Sequence, residues 1–173
     1  MAIDVELREL TPGDAEQFHA FAAHPLVQPT VDSTQVPTVA EVRAFLTQLA
    51  ADNDGVRRER AIVIAGPNAR AGSEDEGPAG NDTVGRVIGS IGLTLEGSSA
   101  ELGYVVHPDY WGRGVATQAA LLMVRLGFDE LGLTRIYAVF SMDNPASVRV
   151  VEKAGLRQVD AKTWEIVRSA ARG

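Results

Sequence analysis

Cysteine is missing from this chain altogether. Without a thiol the protein forms no disulfide, holds no metal through thiolates and passes no acyl group through a thioester on itself, although compartment is left undecided. No apolar run approaches the roughly 18–20 residues needed to cross a bilayer. The opening Met1-Ala2-Ile3-Asp4-Val5-Glu6 is acidic where a signal peptide is basic, so a cytoplasmic location is expected, with no membrane partner. Positive charge is also short. Sixteen Lys and Arg against 23 Asp and Glu give a net charge of -7, which speaks against a nucleic-acid partner, because such affinity is built by cations neutralising phosphates. A cationic small molecule or peptide suits the balance better. His19, His24 and His107 stand apart in sequence, with neither an i,i+4 pair nor an HExxH segment, so no metal is expected. A Gly-x-Ser-x-Gly elbow is lacking too, and with it the hydrolase reading. No internal repeat is evident.

What remains is an ordinary globular composition, 45% hydrophobic and 23% charged over 173 residues. That length suits one well-buried core, so residues 1–173 are read as a single domain, monomeric or homodimeric. Residues 3–10 alternate as a first strand, and Thr11-Pro12-Gly13-Asp14 supplies turn and cap chemistry for a helix that ends by Pro25. Residues 38–51 form a second helix, with Val39, Val42, Phe45, Leu46 and Leu49 at helical spacing and a capping box from Thr38 to Glu41. Residues 61–65 make a short buried strand and 84–95 its partner. Between them, 68–82 has little to bury and reads as a mobile hairpin loop. A strand over 101–107 ends at Pro108, a helix runs from Val115 to about Leu131 with Gly132 at its cap, and 135–141 returns as a strand. This βαβ arrangement predicts a parallel pair. Asn144-Pro145 opens another helix, stopped by Gly155, and Trp164–Val167 forms a last strand. Trp164 and Phe140 are expected in the core.

Chemistry concentrates at Trp111-Gly112-Arg113-Gly114-Val115-Ala116, where a strand enters a helix through two glycines. Unpaired N–H groups and the helix dipole make such a corner a phosphate site, and missing side chains let a diphosphate approach. A Walker loop would need Gly-Lys-Ser/Thr, which is not found here. A dinucleotide fold would place the turn after its first strand and add a third glycine. A tight turn with no ligand is the remaining alternative. Arg113 adds a cation beside the anion site, or is simply an exposed loop arginine.

The run Glu101-Leu102-Gly103-Tyr104-Val105-Val106-His107-Pro108-Asp109-Tyr110-Trp111-Gly112-Arg113-Gly114-Val115-Ala116-Thr117 closely resembles the acetyl-CoA segment of GCN5-related N-acetyltransferases. Within that family it is most similar to the branch of the ribosomal-protein acetyltransferases RimJ and RimL, with Trp111 in the place of the family's Gln or Arg. Asn144-Pro145-Ala146-Ser147 and Glu152-Lys153-Ala154-Gly155-Leu156 resemble the second family motif. The resemblance covers roughly residues 84–159. It implies an α/β fold with a mixed, mostly antiparallel sheet of six or seven strands flanked by helices, splayed between the strands at 101–107 and 135–141. It also implies acetyl-CoA as co-substrate, its diphosphate on the amides from Arg113 to Thr117 and its pantetheine along Val105 and Val106. Asn144 and Ser147 complete the cofactor set.

Attack of an amine on a thioester requires a neutral amine, stabilisation of an oxyanion and a fate for the leaving thiolate. By resemblance, Glu101, ten residues before Trp111, is the candidate base, and an N–H in the 105–106 region serves the oxyanion. The tyrosine that many members place seven residues after the motif asparagine is Val151 here, so Ser147 is the candidate donor to sulfur. Each residue has a plainer reading as well. Glu101 can be a polar strand-edge residue, Asn144 a helix N-cap, and Tyr104 either a proton donor or a packed strand aromatic. The expected function is direct acetyl transfer from acetyl-CoA to a primary amine, a protein N-terminus or a small molecule. A catalytically idle acyl-CoA-binding module and a dinucleotide-binding enzyme are the alternatives.

Overall fold

The computed structural model describes residues 3–28, 36–51, 55–66, 84–140 and 144–169. The expected loop at 68–82 lies outside them, as does Ser141. Element order is β1 (Val5–Glu9), α1 (Ala15–Ala22), α2 (Val39–Ala51), β2 (Arg57–Ile64), β3 (Val87–Glu96), β4 (Ser99–Val106), α3 (Val115–Asp129), β5 (Arg135–Val139), α4 (Pro145–Lys153), β6 (Arg157–Gln158) and β7 (Thr163–Val167). The strands form a seven-stranded sheet in the order β1-β2-β3-β4-β5-β7-β6. It is mixed: β1 with β2, β5 with β7 and β6 with β7 run antiparallel, and β4 with β5 runs parallel, as the βαβ pattern predicts. Internal contacts divide the chain into two units, one from the described residues of Met1–Asn53, Arg60–Ser90 and Val105–Val115, the other from Asp54–Glu59, Ile91–Tyr104 and Ala116–Gly173.

In the first unit, β1 meets β2 in register from Val5↔Ile64 to Glu9↔Arg60. The core joins Leu10, Phe21, Val42, Leu46, Ala61, Val63 and Val87, with Val39 and Leu49 partly buried against it, so α2 buries the stripe that its spacing foretold except at Phe45, which is exposed. Reciprocal caps hold the start of α2 and the Pro12–Asp14 3-10 turn that leads into α1. Thr38 and Glu41 bond each other's backbone and side chain at 2.7–3.2 Å. Asp14 accepts from Thr11 N–H at 2.8 Å and from both guanidinium nitrogens of Arg8 at 2.7 and 2.8 Å, a forked pair that anchors the end of β1 to the start of α1. Burial pushes the Asp14 carboxyl up, yet the Arg8 and Thr11 bonds together outweigh it and leave its pKa below the ordinary value.

In the second unit, Ile91, Leu93, Ala100, Ala119, Met123, Ile136 and Trp164 are buried. Glycine at 127 lets α3 lie close to the sheet, since a Cβ there would come within 2.7 Å of Ile136 Cδ1 and 3.1 Å of Leu93 Cδ1. Trp164 is packed as expected, with Phe140 half-buried and stacked on it at 4.5 Å. The bounds of β3, α3 and β5 shift by two or three residues, and two elements depart further. β2 begins at Arg57, four residues before its apolar run, because Glu59 pairs with Arg57 at 3.3 Å and tucks beneath Gly92. The short β6 has no alternation to announce it, being two exposed polar residues paired with β7.

Pairing between β4 and β5 runs only from Ser99↔Arg135 to Glu101↔Tyr137. Beyond Glu101, residues 102–104 and 138–139 have no partner across that gap, which is the splay the resemblance implied.

Candidate active site

In the first unit, β4 runs out through Val105, half-buried, and Val106, buried. His107 N–H still bonds Ile88 O at 2.8 Å. Pro108–Tyr110 then form one 3-10 turn, whose first N–H is held by the His107 ring, with Nδ1 accepting from Asp109 N–H at 3.2 Å. Trp111 is 49% exposed, but its indole N–H donates to Val106 O at 2.7 Å and ties the start of the turn to the end of the strand. Gly112 and Gly114 have φ of 72° and 81°, the left-handed region that other residues occupy only with strain. A Cβ at Gly112 would meet nothing within 4 Å, so the space above this peptide is open. Arg113 lies over the Tyr110 ring at 5.6 Å, and its carbonyl accepts from Ile3 N–H at 3.4 Å. Val115 is buried and starts α3. Along α3, Ala116 and Thr117 follow, both half-buried; helix geometry leaves first-turn N–H groups without partners inside the helix.

His24 and His107, expected to be isolated, are not. Their rings lie 5.5 Å apart, edge to face, because the segment just past α1 and the end of β4 meet in this unit. Burial holds the His107 pKa below the ordinary value; Asp109 opposes this, and His24 and Arg86 reinforce it. Among the described residues no group of three His, Cys, Asp or Glu is placed to hold a metal ion.

In the second unit, Glu101 is half-buried and stands in register with Tyr137, so the two side chains share a sheet face. Tyr137 donates to Glu96 Oε2 at 2.8 Å and has Arg135 over its ring at 4.6 Å. Burial raises its pKa, and the Glu96 and Glu101 carboxylates raise it further. Arg135 in turn bonds Glu165 Oε2 at 2.5 Å. None of these contacts is visible in sequence, because strand register is set by long-range packing. At the head of α4, Asn144 Oδ1 accepts from Ser147 N–H at 3.1 Å with Pro145 as the first helical residue, so the N-cap role is confirmed. Val151, in the tyrosine place, is buried and offers no proton. Tyr104 is the residue whose weight the sequence understated. Its hydroxyl is buried; burial raises its pKa, and its side-chain interaction with Ser147, which falls short of full hydrogen-bond geometry, opposes the rise.

Residues 4–157 match the family described as Acetyltransferase (GNAT) domain. The chain belongs to the GNAT acetyltransferase family. A segment of this GNAT chain is 40% identical over 75 residues to YoaA, described as an uncharacterized N-acetyltransferase of Bacillus subtilis (strain 168), covering 42% of each chain. Spermidine N(1)-acetyltransferase of Escherichia coli (strain K12) is 34% identical over 56 residues, 32% of this chain and 30% of that protein. These curated relatives are thus matched over less than half their own length. Among solved structures, spermidine N-acetyltransferase from Vibrio cholerae in complex with CoA and spermine superposes with a TM-score of 0.73 at 18% identity, over 94% of this chain and 95% of that one. A GNAT-family acetyltransferase from Bacillus anthracis gives 0.71 at 22%, over 96% and 98%. At these identities the likeness establishes the GNAT fold. Among the described residues, no helix is long and apolar enough to cross a membrane.

Proposed function

We propose that residues 1–173 are one catalytic domain that transfers the acetyl group of acetyl-CoA to a primary amine, by direct attack in a ternary complex. The observation that carries this reading is the left-handed pair Gly112 and Gly114 at the head of α3, with open space over Gly112. Amides from Arg113 to Thr117 hold the diphosphate, β4 at Val105 and Val106 carries pantetheine, and Asn144 and Ser147 border the cofactor. No resident metal is required.

Glu101 takes the proton shed by the attacking amine. How much that matters depends on the acceptor: a lysine-like amine of pKa about 10.4 is under about 0.1% neutral at pH 7, whereas an α-amine near 8 is about 10% neutral. The turn sequence, with Trp111 in the Gln/Arg place, favours the RimJ/RimL-like branch and hence a protein N-terminus. The acidic charge and the spermidine acetyltransferases among the relatives favour a polyamine. Both are primary amines, and a cytoplasmic monomer or homodimer serves either.

Release of CoA thiol from acetyl-CoA, followed with spermidine, an alanine-starting peptide and an aminoglycoside in parallel, tests the reading. The expected result is amine-dependent release without a pre-steady-state burst. Binding of CoA with no turnover on any amine would leave a binding module, and a burst equal to the enzyme concentration would contradict direct transfer.

A further inference from the structure

Resting on that acetyl-transfer reading, we propose that Gly103 is a specificity-determining residue: the bare backbone beside Glu101 makes room for an acceptor whose amine stands on a substituted carbon, the α-amine of an amino acid or peptide. A glycine inside a strand weakens it, because the chain loses more freedom on folding and no side chain packs, so it is kept where a left-handed φ or a close approach requires it. The fold requires neither at Gly103. It is not one of the left-handed glycines, unlike Gly112 and Gly114. Among the described residues a Cβ there would meet nothing within 4 Å, unlike one at Gly127, which would press on Ile136 and Leu93. As far as the folded chain is concerned any residue could stand at 103, and a β-branched one would suit the strand better.

The surroundings of this position show what the room serves. Alternation along β4 puts Glu101 and Gly103 on one sheet face, about 7 Å apart, while Leu102 is buried on the other. Glu101 is the proposed proton acceptor, so an attacking amine comes within hydrogen-bond reach of its carboxylate. Across from Glu101 that face is filled. Tyr137 stands there in register, its hydroxyl donated to Glu96 Oε2 at 2.8 Å and its ring covered by Arg135 at 4.6 Å. Further along β4 the pairing with β5 has ended and Gly103 is exposed. An amine held at Glu101 thus has its carbon skeleton over Gly103, where a branched side chain would collide with any substituent on the nitrogen-bearing carbon. A polyamine arm carries only hydrogens on that carbon and needs no such space. An α-amine carries a carbonyl carbon there and, outside glycine, a side chain as well.

Steady-state acetylation of an alanine-starting peptide, free alanine and spermidine by wild type and by Gly103→Val tests this, with CoA affinity and melting temperature measured alongside. Wild type should acetylate an α-amine, and the peptide and the free amino acid distinguish its two sources. The Gly103→Val variant should lose about 100-fold in kcat/KM on the α-amine and under about 3-fold on spermidine, with CoA affinity unchanged and a melting temperature equal to or above that of wild type. Gly103→Ala should fall between the two on the α-amine. Equal losses on both kinds of acceptor, no loss on either, a loss of CoA affinity, a variant that fails to fold, or a wild type that acetylates spermidine alone would overturn the proposal. Release of thiol by the wild type with no amine at all would instead sink the acetyl-transfer reading on which it stands.

Discussion

In the turn after β4, the groups proposed to meet a ligand are peptide N–H groups beside two left-handed glycines. In the second unit they are side chains, Glu101 beside Tyr137 and Ser147 beside Tyr104. A backbone site restricts its own sequence, because only glycine holds φ near +75° without strain while keeping a Cβ out of the way. A side-chain site imposes no such restriction: a glutamate on a strand or an asparagine before proline has structural employment elsewhere in any protein. The first kind can therefore be recognised from residues, and the second only from neighbours.

The sharpest way to break this contrast is Gly114→Val. Strain at φ 81° and loss of two or more amide–phosphate bonds should together reduce CoA affinity by at least about 100-fold, read by calorimetry. Glu101→Gln should behave in the opposite manner, with CoA affinity unchanged and kcat lowered by about 100-fold on a lysine-like amine. On an α-amine the loss should be under about 10-fold, since such an acceptor is already partly neutral. Measuring both acceptors separates a catalytic carboxylate from a strand-edge residue, which would affect neither rate.

How far the sequence was legible follows the same division. Caps and helical stripes were readable because they depend on residues three or four apart, as at Thr38 and Glu41. The parallel pairing of β4 with β5 followed from the helix between them. Features that depend on register or on distant packing were not readable. These include the Glu96–Tyr137 bond, the His24–His107 contact, the two-residue β6 and the charged start of β2. The Tyr104–Ser147 interaction belongs to the same class, since it is a property of the packed chain alone.

Smaller effects refine the comparison. Asn144→Ala should cost about 1 kcal/mol of stability through the lost cap, measured by urea denaturation, and Asn144→Ser should restore most of it. Trp111→Phe keeps the ring but removes the bond to Val106 O, so a loss of about 0.5–1.5 kcal/mol is expected, with little change in CoA affinity if only amides grip the ligand. The smallest signal is in pH. Because the folded-state pKa of His107 lies below its ordinary 6.5, protons bind the unfolded chain more readily there. Stability should therefore be flat above about pH 6.5 and decline as pH falls through the window below it, a slope that His107→Gln should reduce.

Comparing the dissociation constants of CoA and of pantetheine, which has the same thiol arm without the diphosphate, addresses the peptide-amide grip most directly. CoA should bind at least about 100-fold more tightly to the wild-type chain, and Gly114→Val should remove most of that preference. Equal affinities in the wild type, or a preference that survives the valine, would contradict the account.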